Sequence, residues 1–393
     1  MRTELTSYKF HPLIAWVGCL CVAWFFQGCS KPSNVETALD ENILHFGLGA
    51  EPQHLDPHLA TSVAAHNVLS ALLEGLVSEH PETLKPVPGV AQRWEKLEEG
   101  KTYLFYLREN ALWSNGDPVT AHDFVYSFRR ILNPNLGAQY ASMLHPLKNA
   151  KLYHEGKKTW DEAKVGAEAI DNFTLKITLE HPIPYFLELL NHYSWFPVHR
   201  PTLEKFDAFE KMGTPWTKPG NFVGNGPFQL VEHQINSVIS AGKNNHYWDA
   251  SSVRLEGIRF YPIESVDTEE RAYRAGFLHL TQSVSADRID YLKEKYPDEL
   301  HFEPYLGTYF YRFNLKSPPF DDLRVRQAFS LAIDRQRLVD KVLKGGQTPA
   351  NTFTPPGTGG FYPQPQFLHD PKKARRLLDS YLSEKGLDCL PPI

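Results

Sequence analysis

Cysteine is scarce, with 4 residues in a chain of 393. Cys19 and Cys21 sit inside an apolar amino-terminal run and Cys29 just past it, which leaves Cys389 for the body of the chain. One thiol forms no internal disulfide, and an exported domain this large does without one. A basic face is also missing: the formal net charge is −5 with Lys and Arg scattered, which excludes the one-sided charge of a nucleic-acid binder. Repeats and low-complexity blocks are absent beyond a short polar linker at 30–41. The chain has no G-x-S-x-G elbow, H-E-x-x-H pair, Walker loop or C-x-x-C, so nothing sets a nucleophile beside a base. His54-Leu55-Asp56-Pro57-His58 has the spacing of two imidazoles on a helix face, but Pro57 breaks any such helix. Cap and turn hydrogen bonds account for those residues. The carboxylate pairs Glu98-Glu99 and Asp321-Asp322 stand beside glycine or at a helix start, as solvated or capping groups. These absences predict a protein that is not an enzyme and carries neither cofactor nor metal.

What is present is globular. Hydrophobic residues make up 42% and charged residues 22%, and the length suits two or three domains. The 24 Phe, 18 Tyr and 8 Trp fit a protein that encloses something, although packing alone could use them. At the amino terminus a weakly basic start (Arg2, Lys9, offset by Glu4) precedes the apolar run Leu13–Phe26. That run is shorter than the roughly 20 residues needed to cross a bilayer. It ends at Gln27-Gly28-Cys29, the pattern of an export signal with lipid attachment at Cys29. Plain secretion or an uncleaved anchor are the alternatives. Acyl chains contribute about 0.8 kcal/mol per buried CH₂, so two or three hold a protein to a membrane.

In the body, Ile43–Leu48 reads as an opening strand. Val63–Leu76 has a helical stripe at Val63, Leu69, Leu72, Leu73 and Leu76. Tyr103–Leu107 and the alternating Phe173–Leu179 read as strands, and a turn at Asn225-Gly226-Pro227 leads into a hairpin with Ser237–Ala241. Asp321 or Asp322 caps a helix with Val325, Ala328, Phe329, Ala332, Ile333 and Val339 on one face, and a second helix starts near Pro371. Strands and helices interleave irregularly, which predicts mixed α/β structure with several sheets.

From about residue 43 several stretches resemble the oligopeptide-binding family of ABC-importer substrate proteins. They include Glu51-Pro52 with Leu55-Asp56-Pro57, Pro88-Gly89-Val90-Ala91 with Trp94-Glu95, and the long run Trp113-Ser114-Asn115-Gly116-Asp117-Pro118-Val119-Thr120-Ala121-His122-Asp123-Phe124. Gly224-Asn225-Gly226-Pro227-Phe228, Tyr247-Trp248-Asp249, Tyr273-Arg274-Ala275-Gly276 and Arg324-Val325-Arg326-Gln327-Ala328 follow in the family's order. In the long run, Asn115-Gly116 supplies a positive φ, Thr120 caps a helix and Trp113 packs beneath the turn.

The resemblance implies a class II periplasmic-binding-protein fold, α/β, with two lobes built of three domains that close on an extended peptide. It implies a signal peptide at 1–28, a lipidated linker at 29–41, a discontinuous first domain at 42–73 and 200–306, a second at 74–199, and part of a third at 307–393. It implies peptide contacts at Thr61, Ser62, Val63 and Tyr140 on one side and at Tyr305, Phe310 and Arg312 on the other. The expected partners are oligopeptides, importer permease subunits and a membrane reached through the lipid at Cys29, with the protein a monomer in the cell envelope. Two local departures stand out. Gly307 replaces a Cys of close relatives, and Arg312 replaces an acidic residue of some relatives. Relatives also continue beyond this carboxyl end, so the third domain is expected to be cut short. That carries the expectation of a sheet after residue 307 with unpaired edges, and the alternative of a non-binding remnant or half of a split protein.

Overall fold

Strand β1 (Ile43–Gly47) pairs in parallel with a strand some two hundred residues later, β10 (Gly257–Tyr261). The computed structural model describes residues 32–303, 305–358, 361, 362, 364 and 368–391. Cys29 and the expected export signal therefore lie outside the described residues.

Between β1 and β10 the chain lays down β2 (Val77–Glu79), β3 (Pro86–Pro88), β4 (Ala91–Leu97), β5 (Thr102–Leu107), β6 (Ala167–Ala169), β7 (Thr174–Thr178), β8 (Phe228–Gln234) and β9 (Val238–Lys243). One four-stranded sheet has the order β1-β10-β9-β8 and a second has β4-β5-β7-β6, with β2 and β3 forming a separate ribbon. The expected β8–β9 hairpin forms in antiparallel register. Strand β7 is buried at every other position, as a half-covered strand must be.

The helix Val63–Leu72 buries Ala65, Val68, Leu69 and Leu72. It stops four residues short of the expected Leu76, because Leu73 is already extended and the chain leaves for the second sheet. Val63, expected on the buried stripe, is 52% exposed. Outgoing and returning chains then run against each other. Gly226 N–H donates to Leu72 C=O at 3.0 Å, and the Asn225 side chain bonds both main-chain groups of Glu74. A Cβ on Gly226 would lie 2.6 Å from the Leu72 carbonyl carbon, so glycine is required here by close approach.

Helix Ala121–Ile131 packs Phe124, Phe128 and Ile131 inward at helical spacing. Thr120 is its N-cap, and the Asp123 carboxylate accepts from both the Thr120 amide and hydroxyl at 2.8 and 2.9 Å. In the preceding turn Gly116 has φ of 90° and Trp113 is fully buried, both as expected.

Helices Leu323–Ala332 and Pro371–Lys385, capped by Asp322 and Asp370, pack over a small separate core of Ala328, Leu331 and Ala374. Leu331 takes the inward place expected of Ala332 and Ile333, which are exposed because the helix ends there. No strand follows β10 among the described residues, so the sheet expected after 307 is not formed. A strand needs a neighbour to take its amides and carbonyls, and the described chain supplies none. No helix among the described residues is long and apolar enough to cross a membrane.

Candidate functional site

The turn Asp56–Ala60 delivers an extended segment to the start of helix Val63–Leu72. Leu59 and Ala60 amides close the turn on the Asp56 carbonyl at 3.0 and 2.9 Å. Ser62, with φ −111° and ψ 154°, is the N-cap, and its hydroxyl accepts from the Ala65 amide at 3.2 Å. Among the described residues the amides of Thr61 and Ser62 have no acceptor. Both residues are half-buried, so the edge is held in place yet reachable.

Tyr140 is drawn to this edge: its hydroxyl donates to the Thr61 carbonyl at 3.4 Å. Its ring meets His192 edge-on at 5.4 Å, His192 lies 4.1 Å from Tyr193, and Tyr193 faces His66 of the adjoining helix at 5.8 Å. His192 accepts from the Ser194 amide and so opens a short 3₁₀ turn that presents both rings. Burial, and then the charge of His66, pushes His192 down to about 4. Burial likewise lowers His66 and raises the Tyr193 phenol. All three are therefore uncharged at neutral pH, and the wall beside Thr61 is aromatic without a net charge.

The residues expected on the opposite side are elsewhere in character. Tyr305 is 83% exposed, Phe310 is exposed and stacks edge-on against Phe353 at 4.9 Å, and Arg312 is exposed. None of them touches the Thr61–Tyr140 group through a hydrogen bond or ring contact among the described residues. Of the expected residues the structure thus brings together Thr61 and Tyr140, flanked by Ser62 and Val63.

Sequence reasoning missed His66, His192 and Tyr193. Their signal was faint: a histidine one turn into a helix, and Asn191-His192-Tyr193-Ser194-Trp195, an aromatic run with turn-forming residues. It also missed Glu74, whose buried carboxylate accepts from Tyr247 Oη at 2.6 Å and Trp248 Nε1 at 2.7 Å under the Arg108 guanidinium, which lies 3.6 Å over the Trp248 ring.

The fold, mixed α/β with two four-stranded sheets, is that of the class II periplasmic binding proteins. Residues 85–390 match the bacterial extracellular solute-binding proteins, family 5 Middle, and the chain belongs to that family. It is 40% identical over 332 residues to the periplasmic oligopeptide-binding protein OppA of Salmonella typhimurium, covering 84% of this chain and 59% of that one. It is 39% identical over 317 residues to the periplasmic murein peptide-binding protein MppA of Escherichia coli, covering 80% and 57%. Among solved structures, Haemophilus influenzae OppA in complex with the peptide RPPGFSPFR superposes with a TM-score of 0.80 at 38% identity, over 87% of this chain and 67% of that one. The chain thus spans less than two thirds of the length of these curated relatives. The family and these relatives are solute-binding proteins.

Proposed function

We propose that this chain captures oligopeptides by their main chain at the Thr61–Ser62 edge and hands them to the permease subunits of an ABC importer. The observation that carries this reading is the extended Ser62 backbone with free amides at Thr61 and Ser62 beside the Tyr140 ring. An extended peptide adds to such an edge as a strand does; its main chain supplies affinity whatever its sequence. The names of the oligopeptide- and murein-peptide-binding relatives, and the peptide held by the Haemophilus protein, support the same ligand class. Val63 would flank the bound main chain, and Tyr305, Phe310 and Arg312 would face the ligand from the other wall. In this reading residues 42–73 and 200–306 form the first domain, 74–199 the second and 307–393 part of the third. Residues 1–28 are a signal peptide, and acylation of Cys29, at the head of a linker to residue 41, holds a monomer at the outer face of a membrane in the cell envelope.

A second reading is favoured by the exposure of Tyr305 and Arg312: the chain alone is a non-binding remnant, or one half of a split binding protein. Isothermal titration of residues 30–393 with a tri- to pentapeptide mixture separates the two. Micromolar or tighter binding supports capture by this chain; no heat from a chain that melts cooperatively sinks it in favour of the second reading.

A further inference from the structure

We propose that Arg130, which is buried behind the candidate edge, is a positioning residue for peptide capture. Its guanidinium fixes the Asp56–Ser62 turn and orients His58, which ties that turn to the His192–Phe196 segment as one preformed wall. The proposal rests on the peptide-capture reading and names the part of the chain that makes that edge rigid.

Arg130 is completely buried in the last turn of helix Ala121–Ile131. A guanidinium has five N–H donors, and every one is engaged. Nη1 donates to Asp56 Oδ1 at 2.9 Å and to His58 Nδ1 at 2.8 Å. Nη2 donates to Asp56 Oδ2 at 2.6 Å and to the Ala208 carbonyl at 3.1 Å, and Nε donates to that same carbonyl at 3.1 Å. The Asp56 carboxylate also accepts from the His58 amide at 3.0 Å. His58 passes the link onward, with Nε2 3.4 Å from the Phe196 carbonyl. Arg130 therefore pins the turn that ends at Thr61 and Ser62, and His58, which Arg130 holds in place, carries the bond from that turn to the segment with His192 and Tyr193.

The charges are consistent with the geometry. Burial works against the Asp56 carboxylate, but the charge and hydrogen bonds of Arg130, with the hydrogen bond from the His58 amide, outweigh it and hold the group below the usual range. Burial and the adjacent Arg130 charge push His58 down to about 3. Its ring stays neutral, with Nδ1 accepting from Arg130 and Nε2–H donating to Phe196.

Lysine keeps the charge but has three donors on one nitrogen and cannot span these acceptors. An edge that is no longer preformed must be ordered by the ligand, which weakens binding without removing a contact. The test compares the full chain with Arg130→Lys and with Ile177→Ala, a buried change in β7 chosen to lower the melting temperature comparably. The tri- to pentapeptide mixture is titrated, and amide deuterium exchange is read without peptide. Arg130→Lys is expected to weaken binding roughly tenfold and to speed exchange at the bonded amides of 58–60 and in 192–196, while Ile177→Ala does neither. Unchanged affinity and exchange in Arg130→Lys, or the same changes in both variants, overturns the proposal. If the native chain binds no peptide while Arg130→Lys still loosens those two segments, the capture reading falls and only the clamp survives. Should Arg130→Lys fail to fold, His58→Ala, which cuts the link to Phe196, is expected to loosen the same segments, and no such loosening overturns the proposal.

Discussion

Nε2 of His199 lies 2.9 Å from the Asp117 carboxylate, while its Nδ1 accepts from the Thr202 hydroxyl at 2.7 Å. The ring also rests against Trp113, with centroids 5.2 Å apart. The turn that starts at Trp113 is thereby tied to a helix more than eighty residues downstream.

Burial lowers the His199 pKa more than Asp117 raises it, so the folded protein prefers the neutral ring. The unfolded chain takes up the proton more readily, near 6.5. Stability from this site is therefore fully present above 6.5 and is lost as pH falls below it. His199→Ala is expected to cost about 1–3 kcal/mol at pH 7.5 and to cost less at pH 5, read from denaturant melts at both values. An equal cost at both would show that the histidine does not titrate as argued.

Glu74 works in the opposite direction. Burial raises it from 4.5 to about 7, against the bonds from Tyr247 and Trp248 and the charge of Arg108, with Asp249 adding to the rise. A carboxyl whose folded pKa is raised contributes stability below pH 4.5, and that contribution disappears as pH climbs through 7. Glu74→Gln is expected to flatten the fall in melting temperature between pH 5 and 8. A native-like slope in the variant contradicts this.

Gly224 and Gly226 are fixed by the crossing of the two chains. A Cβ on Gly224 would sit 2.2 Å from the Leu72 carbonyl oxygen, and one on Gly226 would sit 2.6 Å from the Leu73 nitrogen. Neither neighbour is a side chain that could swing away. Gly226→Ala is expected to destabilise by about 3 kcal/mol, and Gly137→Ala, with nothing near its Cβ, by less and only through its φ of 67°. Urea unfolding of both variants checks the ranking.

Tyr140→Phe removes one long hydrogen bond to Thr61 and keeps the ring against His192. Loss of roughly 0.5–1.5 kcal/mol is expected as a small fall in melting temperature, with the affinity for the peptide mixture weakened by no more than about tenfold through the loosened Thr61 edge. Tyr140→Ala also removes the ring contact and should weaken binding further. Calorimetric titration gives both numbers, and an unchanged affinity in Tyr140→Ala would take the residue out of the site.

Much of the local structure could be read directly from the residues. The alternation over 174–178, the caps at Thr120 and Asp322, and the positive φ at Gly116 are each set by neighbours within about four positions. Exposure was harder to read. Val63 looked like part of an apolar stripe, yet the stripe faces the core only from Ala64 onward. Ala332 and Ile333 continued a helical period past the point where the helix ends.

The sequence by itself determined the family and the kind of the strongly patterned elements, because hydrophobic period, capping and turn chemistry act over short spans. Tertiary structure alone decided that Arg130 meets Asp56, that Gly226 crosses Leu72, and that Tyr140 with His192 and Tyr193 stands beside Thr61. Those partners are far apart in the chain, and no local preference encodes which distant backbone or ring will arrive. Tyr305 and Phe310 show the same rule from the other side. The resemblance implies a sheet there, but a strand exists only where another chain segment offers it hydrogen bonds, and among the described residues none does.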